Sequence, residues 1–278
     1  DMTQSVAEKH LLKHAGEVYS AVFSHSGNLV LTASQDRTAK VFQVDTGKVL
    51  WEFDHDLAVY LATFSCDDEL VLTASEDGTA ALLSSDCGGT RFILDGHNGR
   101  PVNRAEFSLD GNLVVTASVD SRGCVWDRHS GDCSHVLRGC PSEAKHASFS
   151  ADSTKVFLTH ATGVVEVFCA QTGSCLWVLS DHVEPVYLAS SCPMSRLVAL
   201  ASEDGRATLW DLTSGRKVWT LAEHVDAVTW ISWSGDTLVT ASWDGSVKLW
   251  SADSGECLET FEGHAGPVIY AEFGTLGV

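Results

Sequence analysis

The sequence predicts an all-β protein, a seven-bladed β-propeller whose seventh blade is incomplete. Three observations predict it: one motif returns at a period of forty-odd residues, each period holds four short β-type runs, and turn residues separate the runs. The string LVLTASQDRTAKVF at 29–42 recurs as LVLTASEDGTAALL at 70–83 and LVVTASVDSRGCVW at 113–126. It returns as LVALASEDGRATLW at 197–210 and TLVTASWDGSVKLW at 237–250, with a worn copy, KVFLTHATGVVEVF, at 155–168. The acidic marker of the motif stands at Asp36, Asp77, Asp120, Asp204 and Asp244, with Thr162 in the worn copy, so successive units are 41, 43, 42, 42 and 40 residues apart.

Within the first unit the runs fall at 18–23, 29–34, 38–44 and 48–53, rich in Val, Leu, Thr and Phe. Ser26-Gly27-Asn28, Asp77-Gly78, Asp110-Gly111-Asn112, Asp204-Gly205 and Ser254-Gly255 supply the turns. Four strands in about 40–45 residues make a propeller blade, an arrangement that removes exposed strand edges by radial closure. A β-sandwich does not repeat one motif at fixed period. Six full repeats are expected at about 14–261 and a partial seventh at 262–278, closed by 1–13, all in one domain spanning 1–278.

These residues resemble the WD40-repeat propellers. The Trp-Asp dipeptide survives at Trp126-Asp127 and Trp210-Asp211, and Trp250 keeps the Trp alone. Gly-His survives at Gly96-His97 and Gly263-His264, and the His recurs as His14, His55, His182 and His224. The resemblance covers nearly the whole chain and implies an architecture, not a function. It implies that the N-terminal segment (KHLLK at 9–13) supplies the outer strand of the last blade, beside a first strand at 267–273. Two middle strands of that blade are then missing. Either the parent chain continues past Val278 or a partner strand fills the place.

Ser, His and Asp recur together as Ser34, His14 and Asp36; Ser75, His55 and Asp77; Ser118, His97 and Asp120; Ser202, His182 and Asp204; and Ser242, His224 and Asp244. One active site needs one triad, whereas this trio appears five times at constant spacing. The resemblance implies instead a structural network in which Asp accepts from His, His bonds Ser, and Ser reaches the indole of Trp126, Trp210 or Trp250. The fourth unit, with Cys140, His160, Thr162 and Phe168, is expected to lack the network, and to be the loosest or the most specialised blade.

With 44% hydrophobic residues in 278, the chain can bury a sizeable core. A net charge of −19 repels phosphate backbones and anionic lipid, which argues against nucleic acid and membrane as direct partners. Nine cysteines without a Cys-x-x-Cys pair read as reduced thiols in an intracellular, cytoplasmic protein. The twelve histidines show no metal-ligand spacing, and no phosphate-binding glycine loop is present, so no metal, cofactor or catalytic residue is expected. Trp126-Asp127 is followed directly by Arg128, one place early for the Trp-Asp-x-Arg often carried by substrate receptors of cullin ubiquitin ligases.

In WD40 propellers the narrow top face is the usual docking surface. Carried over unit by unit, it takes Tyr19, Tyr60, Asn103, Lys145 and Tyr187 from one slot, Glu17 and Glu143 from another, and Glu76, Glu203 and Trp243 from a third. Aromatic residues with an acidic rim point to a partner protein bearing a basic, Lys- or Arg-containing segment. The expected function is a non-catalytic scaffold or adaptor in a multiprotein complex. The alternative is a regulatory or sensor domain of a longer chain carrying an NTPase or kinase module. A propeller hydrolase would need a nucleophile set apart from the repeats, and none is found.

Overall fold

The computed structural model describes residues 12–273. It divides into two compact units, Asp1–Asn103 and Arg104–Val278. Among the described residues there are six four-stranded antiparallel sheets and no helix. In every sheet the strands lie in chain order, each joined to the next by a short turn.

The first unit holds β1 (Val18–Phe23), β2 (Leu29–Ser34), β3 (Thr38–Gln43) and β4 (Val49–Asp54), then β5 (Val59–Phe64), β6 (Leu70–Ser75), β7 (Thr79–Ser84) and β8 (Thr90–Asp95). Its core lies between the two sheets: Leu31, Ala33 and Val41 of one pack with Val59, Ala62 and Val71 of the other, all buried. Each large aliphatic side chain so buried contributes about 1.5–3 kcal/mol.

The third sheet is β9 (Val102–Phe107), β10 (Leu113–Ser118), β11 (Gly123–Asp127) and β12 (Cys133–Leu137), and the division between the units falls within β9. The second unit continues with β13 (Ala144–Phe149), β14 (Lys155–His160), β15 (Val164–Cys169) and β16 (Cys175–Ser180). The fifth sheet is β17 (Val186–Ser191), β18 (Leu197–Ser202), β19 (Ala207–Asp211) and β20 (Arg216–Leu221). The sixth is β21 (Val228–Ser234), β22 (Thr237–Ser242), β23 (Val247–Ser251) and β24 (Cys257–Phe261). Successive sheets are again glued face to face, as where Phe157, Val165 and Val167 meet Val186, Val198 and Leu200.

Turn geometry follows from the sequence. The residue after each repeat Asp has a positive φ, and Gly78, Gly205 and Gly245 occupy that place without strain. Arg37 and Ser121 hold the same conformation at φ 75° and 71°, where a β-carbon is disfavoured.

A second regular feature ties neighbouring sheets at their outer strands. Trp51 of β4 lies flat on Gly88 and donates its indole N–H to Ser85 O at 2.8 Å; Trp177 of β16 lies on Gly215 and donates to Leu212 O at 3.3 Å. A side chain in place of Gly215 would put its Cβ 2.5 Å from the Trp177 ring.

One expected strand is absent. Residues 267–273 form no ladder, although Val268 N–H donates to Ser242 O at 2.9 Å and Thr229 Oγ1 donates to Val268 O at 3.0 Å. A lone run has no second strand of its own sheet among the described residues with which to exchange ladder bonds. Of the expected N-terminal closing strand, 1–11 lie outside the described residues.

Candidate functional site

The recurring histidines sit in the turn before each first strand, and the aspartates in the turn between the second and third, so the two meet at one end of a sheet. His14 Nδ1 is 2.9 Å from Asp36 Oδ2, and His55–Asp77, His182–Asp204 and His224–Asp244 are each 2.8 Å. Every aspartate is held again by its neighbour two residues on: Thr38, Thr79 and Ser246 donate their hydroxyls, and Arg122 and Arg206 their guanidinium groups. Burial pushes the carboxyl pKa values up, but these hydrogen bonds outweigh it and hold Asp36, Asp77, Asp204 and Asp244 below the usual value. The His182 and His224 pKa values are also lowered, which favours the neutral ring, because burial outweighs the attraction of the aspartate.

The other side of the imidazole corrects the expected network. The hydroxyl at Nε2 belongs to threonine, not serine: Thr32 at 2.6 Å, Thr73 at 2.8 Å and Thr240 at 2.7 Å. The tryptophan indoles also reach threonine, Trp126 to Thr116 at 3.0 Å, Trp210 to Thr208 at 2.9 Å and Trp250 to Thr240 at 2.9 Å. Ser34, Ser75, Ser118, Ser202 and Ser242 instead accept from the backbone N–H of the aspartate two residues on. Ser75, Ser202 and Ser242 also donate to carbonyls of the preceding turn. In the trios of His14, His55, His182 and His224 a threonine hydroxyl, not the serine, occupies the histidine Nε2. His97 and Ser118 are completely buried.

The fourth unit has a network built from different residues: His160 Nε2 is 3.0 Å from Glu166 Oε2, and its Nδ1 donates to Ser142 O at 2.9 Å. Glu166 also accepts the Cys140 N–H at 3.1 Å. Burial opposes ionisation of Glu166, yet the bonds from His160 and Cys140 hold its pKa below the usual value. Here Glu from the third strand replaces Asp from the preceding turn.

The slot holding Tyr19, Tyr60, Lys145 and Tyr187 has a backbone cause that the sequence did not reveal. In β1, β5, β13 and β17 the ladder skips one residue at this place, between Val18 and Ser20, Val59 and Leu61, Ala144 and His146, and Val186 and Leu188. The skipped residue of such a bulge turns its side chain away from the pleat. Tyr19 and Tyr60 meet edge to face at 5.8 Å in the first unit. In the second, Tyr187 lies 6.3 Å from Trp243 and donates its hydroxyl to Glu203 Oε2 at 2.7 Å. Burial and the neighbouring Glu203, Asp226 and Glu184 carboxylates raise the Tyr187 pKa, so the phenol stays protonated.

Of the rim residues, Glu17 and Glu203 are exposed, while Glu76, Glu143, Asn103 and Lys145 are half-buried. Lys145 pairs with Glu143 at 2.9 Å, which neutralises that part of the rim. Arg128 has a local role: it donates to Gly111 O at 3.1 Å and lies over the Phe107 ring. Among the described residues no three His, Cys, Asp or Glu side chains are grouped to hold a metal, and no helix is long and apolar enough to cross a membrane.

Comparison with known families agrees with this geometry. The family model for the WD domain, G-beta repeat, matches residues 6–43, 47–82 and 88–127. The model for the anaphase-promoting complex subunit 4 WD40 domain matches 189–275. No curated protein matches the chain. Family repeats at both ends of a chain of six like sheets, each built on the same turn chemistry, lead to one conclusion: the chain belongs to the WD40-repeat family.

Proposed function

We propose that the chain is a non-catalytic scaffold or adaptor that grips a basic, Lys- or Arg-bearing segment of another protein. WD40 repeats are in general protein-interaction modules, and this much comes with the family. In the proposed arrangement a single domain forms a seven-bladed propeller. Tyr19, Tyr60, Tyr187 and Trp243 stand on its top face, with Glu17, Glu76, Glu143 and Glu203 on the rim and Asn103 and Lys145 between them. The observation that carries the reading is Tyr187: its ring stands beside Trp243, 44% exposed, while its hydroxyl is held by Glu203. A guanidinium or ammonium group there gains a π-face and a carboxylate together.

The net charge of −19 favours a cationic partner over nucleic acid or an anionic membrane. The likeness of 189–275 to a domain named for a subunit of the anaphase-promoting complex supports a place in a multiprotein assembly, in an intracellular, cytoplasmic setting. The test is binding to an array of Lys- and Arg-bearing peptides and their charge-reversed counterparts. The variant carrying Tyr19→Ala, Tyr60→Ala, Tyr187→Ala and Trp243→Ala should fold and lose the basic peptides. Unchanged binding refutes the reading.

A further inference from the structure

At or next to the end of each first strand the repeat places an aromatic ring: Phe23, Phe64, Phe107, Phe149 and Trp233. Ser191 holds that place in the fifth sheet, opposite Val198 as Phe149 is opposite Val156. The side chain here reaches back to the preceding sheet. Trp233 donates its indole N–H to Ser190 O at 3.1 Å, and Ser191 Oγ accepts the Ala151 N–H at 2.8 Å. A serine fills far less of that space than a ring, and a cavity of about 310 Å³ opens beside it, lined by the turns that follow β13 and β17.

The same turns depart from the repeat in charge. Asp67, Asp110, Asp152 and Asp236 each stand two residues after the serine that opens the turn, whereas in the fifth unit Cys192 opens it and Met194 takes the aspartate's place. Arg196 stands where the first four units have Asn28, Glu69, Asn112 and Thr154, and Lys155 where four others have Leu29, Leu70, Leu113 and Leu197. Both cations line the cavity; Arg196 is exposed and Lys155 half-buried. Arg196 donates to Thr213 Oγ1 at 3.3 Å and forms no ion pair among the described residues. Lys155 donates to Thr154 Oγ1 at 3.1 Å and stands 4.0 Å from Asp152, the one carboxylate in the lining. Asp152 is taken up by its own turn, where it accepts from the Ser150 and Thr154 hydroxyls and the Thr154 N–H. Asp211, near Arg196 but outside the lining, is likewise held by the Thr213 and Ser214 N–H groups.

The lining thus holds two cations against one committed carboxylate, and the Ser191 and Ser195 hydroxyl protons have no acceptor among the described residues. A donor-rich pocket with one net positive charge balances a monoanion, and a guanidinium fork matches a carboxylate. Salt screens the chain's other charges beyond about 8 Å, so this local pair decides what one acidic side chain meets.

We propose that this cavity takes an aspartate or glutamate side chain from an acidic segment of a partner protein. Its carboxylate lies on the Arg196 guanidinium with Lys155 alongside, and a neighbouring apolar residue lies against Pro193 and Leu212. Ser191 and Tyr187 stand at opposite ends of β17, so the site is apart from the Tyr187–Trp243 pair, and the proposal does not depend on that pair.

The experiment is fluorescence-anisotropy titration of the whole chain with pools of acetylated, amidated heptapeptides whose central residue is Glu, Gln or phosphoserine and whose flanks are randomised among neutral residues. The Glu pool should bind roughly tenfold more tightly than the Gln pool and at least as tightly as the phosphoserine pool. Arg196→Met should lose roughly tenfold, Arg196→Lys less because it keeps charge without the fork, and Lys155→Leu several-fold. Ser191→Phe restores the ring of the other units, fills the cavity and should lose binding while the melting temperature holds. Circular dichroism and a thermal melt establish that each variant folds, and the comparison of pools needs no variant. Equal binding of the Glu and Gln pools, binding of neither, or full affinity in folded Arg196→Met or Ser191→Phe overturns the proposal. Tighter binding of the phosphoserine pool overturns it in favour of a phosphate site, and displacement by acetate at the peptide's own concentration in favour of a small free acid.

Discussion

The indole Nε1 of Trp250 donates to Thr240 Oγ1 at 2.9 Å, which makes Thr240 the middle of an ordered relay. Its own hydroxyl proton goes to His224 Nε2 at 2.7 Å, and His224 Nδ1–H goes to Asp244 Oδ2 at 2.8 Å. Burial lowers the His224 pKa and favours the neutral imidazole, and with the aspartate accepting at Nδ1 the tautomer that accepts at Nε2 follows.

Thr240→Val keeps the shape and removes the hydroxyl, leaving the Trp250 N–H and His224 Nε2 unpaired. A loss of about 1–3 kcal/mol in urea unfolding is expected. Ser242→Ala removes bonds to the Asp244 N–H and Asp226 O but leaves the relay intact. The indole N–H resonance of Trp250 should therefore move in Thr240→Val and stay in Ser242→Ala. The opposite pattern would restore serine as the indole's partner.

Acid should destabilise the fold in two stages. His182 and His224 have folded-state values below the usual 6.5, so as pH falls from there the unfolded chain takes protons the folded one resists, and stability declines. Asp36, Asp77 and Asp244 lie below the usual 3.8, and their contribution, complete above that value, is lost as pH falls further through their folded values. Glu106 has the opposite sign: burial pushes it up from 4.5 to about 7, so the folded form binds the extra proton between those values, and that stability is lost as pH rises through about 7. Denaturant midpoints measured from pH 8 to pH 4 should fall more steeply in Glu106→Gln than in the parent. A shallower fall would contradict this assignment.

Gly139→Ala should unfasten the fourth repeat. A Cβ at Gly139 would overlap the Glu166 carboxylate, which must then release the Cys140 N–H or His160. The expected cost is about 1–3 kcal/mol. Hydrogen exchange should speed up at the Cys140 amide first, and protection equal to the parent's would show that Glu166 has room to move.

Gly215→Ala and Gly27→Ala separate backbone strain from packing. Both glycines have positive φ, 66° and 71°, but a side chain at Gly27 meets open space while one at Gly215 strikes the Trp177 ring. Gly27→Ala should cost about 1–2 kcal/mol for the left-handed conformation alone. Gly215→Ala should cost about 1–3 kcal/mol more. Equal shifts of the two melting temperatures would mean that the Trp177 stack carries no weight.

In the first unit strand positions were legible to within a residue. The first unit's runs, expected at 38–44 and 48–53, are observed as Thr38–Gln43 and Val49–Asp54. The His–Asp pairs were legible through the family resemblance, and the structure brings His14, His55, His182 and His224 onto their aspartates at one end of each sheet. The bulge under Tyr19, Tyr60 and Tyr187 was not. It is a mismatch between two strands, and neither strand carries a mark of it alone.

What the amino-acid order determined by itself is the repeat and the all-β class, because these depend on local turn chemistry and regular spacing; the pairing of His14, His55, His182 and His224 with their aspartates was implied by the family resemblance that the repeat carries. Only the tertiary structure chose threonine over serine. Thr240 and Ser242 stand two apart on one strand and share a face, so alternation alone ranks them equally; in space Thr240 meets His224 Nε2 while Ser242 meets the Asp244 N–H and Asp226 O. In the fifth unit Leu200 fills the threonine place, and Thr208, its partner across the ladder, supplies the hydroxyl from the next strand. A hydrogen bond is satisfied by position in space, and a neighbouring strand can provide it as well as the strand that carries the motif.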